Sequence, residues 1–358
     1  MRVAIGLAFS AALGSAGTVS YTCAPGVSAA TCTYLNTTVA GNYSAAFGNA
    51  NASIYIQYGA TGLAQSTTGY DNQVTFAQYA AALSAEATAS GNAVQIAAVA
   101  ALTKYDAPLY GAGNVDITSA LANALGISGE VAGGNTGTTA GGAACFTPGS
   151  GGCYNGIITV TNSPGTPLYY DNLGGPEPSD AYDYYATVEH ETDELLGTSS
   201  CVTTQTTPLS NGCPGTNTPS AVDLFRYSSS GKLIPDSALS TTPGAYFSYN
   251  GGATNGANGV GGLPKIYNTL DNGEDYADFL SSSPDCGTNQ AVQDAEGCPG
   301  EDAGLSILND GGAEINILNA VGYDLAPTTT TPTPEPGTVC LFGTGLVVVS
   351  WYRRRRRA

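Results

Sequence analysis

The sequence predicts an α+β fold, and three features of it do so. Residues 53–58 (SIYIQY) and 156–161 (GIITVT) are dense in β-branched and aromatic side chains and read as strands. Residues 75–87 and 93–102 carry the alanine content and apolar spacing of helices. These and the later elements follow one another without a regular strand–helix–strand alternation, which disfavours a doubly wound parallel sheet.

In chain order, Arg2, a mostly apolar stretch over 3–13 and the small residues Gly14, Ser15 and Ala16 form the pattern of a secretory signal peptide over residues 1–16. The strand at 53–58, the two helices and a third helix over 116–125 make an N-terminal lobe spanning 17–132. A Gly-, Thr- and Ser-rich run over 133–152 predicts an exposed loop. The region 133–326 then holds the strand at 156–161 and a helix over 182–196 that Gly197 is suited to end. It continues, rich in loops, with short strands at 222–227 and 245–249 and a last helix over 313–321. Residues 327–337 are a stiff Thr- and Pro-rich linker, and 338–358 hold a short apolar segment and five consecutive arginines.

Charge excludes one class of partner. Of ten basic residues, Arg353 to Arg357 and Arg2 lie at the ends, so the body keeps only Lys104, Arg226, Lys232 and Lys265 against 27 acids. That body, near −23, repels nucleic acid and attracts cations, divalent metals included. Eight of the nine cysteines fall into close pairs, Cys23 with Cys32, Cys145 with Cys153, Cys201 with Cys213 and Cys286 with Cys298. Disulfides suit an exported chain better than a metal cluster does, and nearest-neighbour pairing is one of the 105 connectivities that eight cysteines allow.

The chemistry concentrates at one place. His190 is the only histidine, and it opens the run His190-Glu191-Thr192-Asp193-Glu194-Leu195-Leu196-Gly197. Residues four apart share a helix face, so His190 and Glu194 can grip one ion with Glu191 close beside it. Weaker clusters, Asp271 to Asp275 and Glu301-Asp302, offer oxygens to calcium but lack the spacing of an EF-hand loop, and turn-forming acids on a solvated loop are the favoured explanation.

With its preceding strand and Gly197, this run resembles the active-site helix of zincin and metzincin-like peptidases, with Glu194 in place of the second histidine. Over residues 50–325 the order of HETDELLG, DLFRY (223–227), YFSYNGG (246–252) and LNAVGYD (318–324) is similar to a divergent group of secreted bacterial metalloproteases with an H-E-x-x-E-x-x-G motif. The resemblance implies a zincin-like fold with a mixed sheet and an active-site helix. It implies zinc held by His190 and Glu194, Glu191 as the general base and a peptide or protein substrate. The third metzincin ligand falls on Ser200, a poor zinc ligand, so Asp223 in the matched DLFRY segment is the candidate third ligand. Tyr227 is the candidate for steadying an oxyanion. The competing reading is a noncatalytic envelope or matrix protein on the same scaffold, favoured by Glu194 and Ser200.

The C-terminal order of Pro334-Glu335-Pro336, apolar segment and Arg353 to Arg357 resembles the PEP-CTERM sorting signal. That resemblance implies an exosortase as processing partner, membrane contact through this segment before processing, and a destination in the cell envelope or extracellular matrix of a Gram-negative bacterium.

Overall fold

The structure, a computed structural model, describes residues 17–104, 113–127, 136–171, 176–202, 213, 218–234, 242–258, 265–269, 273–281, 290–300 and 305–327. The signal peptide expected over 1–16, the cluster members Asp271, Asn272, Glu301 and Asp302, and the C-terminal segment lie outside the described residues. The chain divides after Ala326, and the fold that follows is that of the first unit.

Strand β1 (Val19–Cys23) leads into helices α1 (Ala29–Tyr34) and α2 (Ala40–Ala46), and then β2 (Ala52–Gly59). The alternation in β2 works as its sequence suggests: Ala52, Ile54 and Ile56 are buried on one face, while Tyr55 on the other meets the Tyr154 ring. β3 (Ala64–Thr68) and β4 (Tyr70–Thr75) follow, then α3 (Phe76–Ser90), opened by a Thr75–Gln78 capping box and closed by left-handed Gly91. Asn92 caps α4 (Ala93–Leu102). The expected helix over 116–125 is in part a strand, β5 (Asn114–Thr118), paired antiparallel with β4; only α5 (Ser119–Ala124) is helical. Thr118 is the N-cap that ends the strand and starts the helix, because its side chain accepts from Leu121 N.

Where the sequence predicts an exposed loop, a small antiparallel sheet forms instead from β6 (Gly137–Thr139), β7 (Ala144–Cys145) and β8 (Cys153–Tyr154). The Cys145–Cys153 disulfide clips it. Cys23–Cys32 and Cys201–Cys213 are also bonded, as is Cys298; Cys286 lies outside the described residues.

β9 (Gly156–Thr161) enters the middle of the main sheet, whose order is β1-β2-β9-β3. β1, β2 and β9 are parallel, and β3 is an antiparallel edge strand. The sheet is therefore mixed, and its central strands β2 and β9, which pair Ile54 with Gly156, are far apart in sequence. β10 (Leu168–Tyr169) and β11 (Tyr182–Asp183) make a short parallel pair, after which α6 (Tyr184–Asp193) packs over β3 and β9. α6 starts two residues later than the sequence predicts because Tyr182 and Asp183 are in the strand pair. Asp183 then caps the helix, accepting from Tyr185 N and Ala186 N. β12 (Arg226–Tyr227), β13 (Tyr246–Phe247) and α7 (Ala313–Val321) complete the unit. Residues 222–225, expected to be extended, form a 3-10 turn, and only Arg226 and Tyr227 are in the strand.

Helix and sheet approach closely at one glycine. A Cβ on Gly156 would overlap Leu195 Cδ2 and stand 2.7 Å from the Thr67 carbonyl oxygen. Gly156→Ala must therefore push the site helix off the sheet. It is expected to cost about 1–3 kcal/mol, read as a lowered urea midpoint.

Candidate metal centre

The helix that carries the site is fixed from behind by hydroxyls. Tyr43 OH donates to the Glu189 carbonyl and to Asp193 Oδ1, Tyr21 OH pairs with Thr192 Oγ1, and Tyr323 OH donates to the Leu196 carbonyl. After Asp193 the helix widens into a π-turn over Glu194–Thr198, broken at Gly197 with φ of 134°. That left-handed value is the reason for glycine there. π-turns recur at functional sites, and this one begins at Glu194.

His190, Glu194 and Asp278 come together, with one potential ligand atom from each lying within 4.8 Å of the others. Among the described residues no other such group of three occurs. His190 Nδ1 lies 2.9 Å from the Val292 carbonyl oxygen. A carbonyl only accepts, so Nδ1 carries a proton and Nε2 is the nitrogen turned toward the other candidate ligands, the orientation found where a histidine faces a metal. Nε2 stands 3.7 Å from Asp278 Oδ1. Ser66 Oγ of the edge strand donates to Glu194 Oε2 at 2.5 Å. One nitrogen and carboxylate oxygens suit zinc, and also other divalent ions.

Asp278 is held by a frame of backbone bonds. Its Oδ2 accepts from Asp275 N, and Asp275 in turn accepts from Ser199 Oγ, Ser200 N and Ala277 N. The buried Arg226 guanidinium donates to the carbonyls of Tyr276 and Asn268 and lies 4.6 Å from the Tyr267 ring centre. The DLFRY segment thus supports the loop that delivers Asp278.

The other sequence candidates fall elsewhere. Asp223 is buried and does not join the group; its carboxylate accepts from Ser200 Oγ, Cys201 N, Ser220 N and Ser220 Oγ. Ser200 is a donor to that frame. Tyr227 pairs with Tyr246 and Leu233 and does not line the site cleft. Glu191 does line it, beside His190 and Glu194.

The cleft has a volume of about 650 Å³ and runs between the β3 edge at Ala64 to Ser66 and the segments at Ala291–Val292 and Asp294–Glu296. Its charge is mostly negative. Burial pushes the Glu191 carboxyl well above the usual range, helped by the Glu194 carboxylate hydrogen-bonded to it and by Asp278. Asp278 is raised by burial and then by Asp275 and Glu194, and Asp275 is pushed up to about 7 by burial and Glu194. A cation among these groups would relieve that crowding.

A second acidic cluster, away from the cleft, makes stability depend on pH. Burial, then Asp223 and Asp71, raises Asp116 from 3.8 to about 7. The folded protein therefore holds a proton that the unfolded chain releases. Its stabilising effect is complete below about pH 4 and is lost as the pH rises toward 7. Between pH 5 and 8 a loss on the order of 2 kcal/mol is expected, discounted for solvent screening, with a shallower slope in Asp116→Asn. Urea unfolding at several pH values measures it.

Residues 332–357 match the PEP-CTERM protein-sorting motif. The signal marks an exported protein, sorted by an exosortase to the cell envelope or outside in Gram-negative bacteria, and the disulfides agree with an oxidising destination. No curated protein and no solved structure matches the chain. Among the described residues no helix is long and apolar enough to cross a membrane.

Proposed function

We propose that this exported protein is a zinc-dependent peptidase-like hydrolase, with His190, Glu194 and Asp278 as ligands and Glu191 as general base. The observation that carries the reading is the convergence of those three ligand atoms beside a cleft that His190, Glu191 and Glu194 line. Three protein ligands with open space beside them suit catalysis better than a closed structural site. The Val292 carbonyl that fixes the histidine tautomer supplies the outer support such sites use.

Zinc held there would supply Lewis acidity toward a carbonyl and toward water. The rest is the work of the chain's own groups. Glu191 stands next to the ligands to take a proton from water and return it to the leaving amine. β3 is an edge strand whose Ala64, Gln65 and Ser66 line the cleft, so its backbone can pair with an extended peptide laid across the site.

Elemental analysis of the purified protein tests the reading, with His190→Ala and Glu194→Ala alongside. About one zinc per chain, lost in both variants, supports it. No metal after zinc is supplied to folded protein overturns it and leaves a noncatalytic envelope protein.

A further inference from the structure

We propose that the Gln293 carboxamide is a latch that stands in for the cation, capping the His190 lone pair until metal displaces it. The inference rests on the metal reading above but concerns a residue outside the ligand set. Gln293 is fully buried, and its side-chain nitrogen lies 2.9 Å from Asp278 Oδ1 and 3.3 Å from His190 Nε2. One amide nitrogen thus touches two of the three candidate ligands.

The orientation of the amide follows from its bonds to Asp278 and Thr198. The Gln293 nitrogen donates to Asp278 Oδ1, so it is that N–H group, and not the carbonyl oxygen, that faces His190 Nε2 as a donor. The Gln293 carbonyl oxygen then points the other way, where Thr198 Oγ1 donates to it at 3.2 Å. The main chain is pinned on both sides, with Gln293 N donating to Glu314 Oε1 and Phe279 N donating to the Gln293 carbonyl. Only the side chain is left to move.

The two contacts differ in what a metal would do to them. A carboxylate oxygen has more than one lone pair, so Asp278 can keep the Gln293 bond while binding a cation. Imidazole Nε2 has a single lone pair and gives it either to an N–H or to a metal. Loading the site therefore breaks the His190–Gln293 bond and leaves the Asp278–Gln293 bond in place.

The test compares full-length wild type with Gln293→Leu, which removes the donor, and with Thr198→Val, a milder near-isosteric change that only loosens the amide and keeps the test decisive if the first variant folds poorly. Zinc and cobalt affinities are measured by chelator competition. The latch predicts binding about three- to tenfold tighter in Gln293→Leu, since one competing hydrogen bond is removed, and a smaller shift of the same sign in Thr198→Val. Equal or weaker binding in the folded variants overturns it; a supporting role alone would weaken binding about ten- to a hundredfold. If wild type and variants alike bind neither ion, the metal reading itself falls, and the latch with it.

The chain has one histidine, so its imidazole nitrogen signals are unambiguous in labelled protein. The metal-free Nε2 signal should move toward that of an unbonded lone pair in Gln293→Leu, and an unmoved signal counts against the latch.

Discussion

Glu191→Gln is expected to retain its zinc while peptide hydrolysis falls by about two to four orders of magnitude. The amide fills the same space beside His190 and Glu194 but cannot accept a proton from water. Burial, then the charges of Glu194 and Asp278, push the unaltered carboxyl well above the usual carboxylate range. Once those two neighbours share their charge with a cation, the forces that raise it weaken and it can ionise. Cleavage of a peptide library by metal-loaded wild type and variant, at matched zinc content, measures the effect. Equal rates would remove Glu191 from the mechanism; a loss of zinc in the variant would make it a ligand rather than a base.

The parts of this fold that were legible in the sequence are those governed by local rules. The strands at 53–58 and 156–161 and the helices at 76–90, 93–102 and 313–321 are set by alternation, alanine content and caps, all written within a few residues. Local rules fail at 116–125, where Thr118 ends a strand as it caps a helix so that two short elements share one apolar run, and at 222–225, where a 3-10 turn precedes the two-residue strand. The 137–154 sheet was missed because its strands of two or three residues carry no periodicity and depend on a disulfide.

The site shows the same division. His190, Glu191 and Glu194 are legible because helix geometry ties their spacing to a shared face. Asp278 is not, since it arrives from a loop far along the chain, aimed by Asp275, Arg226 and Gln293. The acidic run noted at 271–275 ends three residues short of it. Nor could spacing show that Asp223 faces Ser200 and Ser220 instead of His190.

That last contrast yields the sharpest separation of roles. Asp278→Asn is expected to weaken zinc binding by about a hundredfold or more, because a neutral amide replaces an anionic ligand while the fold around it stays intact. Asp223→Asn is expected to keep the metal and lose stability instead. Its carboxylate accepts four donors from residues 200, 201 and 220, and an amide has only one oxygen to offer them. Each donor left buried without a partner costs about 1–3 kcal/mol, so a loss on the order of 2–4 kcal/mol is expected after relaxation. Metal titration and urea unfolding of the two variants should therefore move in opposite columns: affinity for Asp278, stability for Asp223. If Asp223→Asn instead lost zinc while Asp278→Asn kept it, the ligand would belong to the DLFRY segment after all, and the loop carrying Asp278 would have to be read as support. The geometry predicts the reverse, because Asp278 Oδ1 stands 3.7 Å from the one histidine, whereas Asp223 has both oxygens committed to the frame beneath the site.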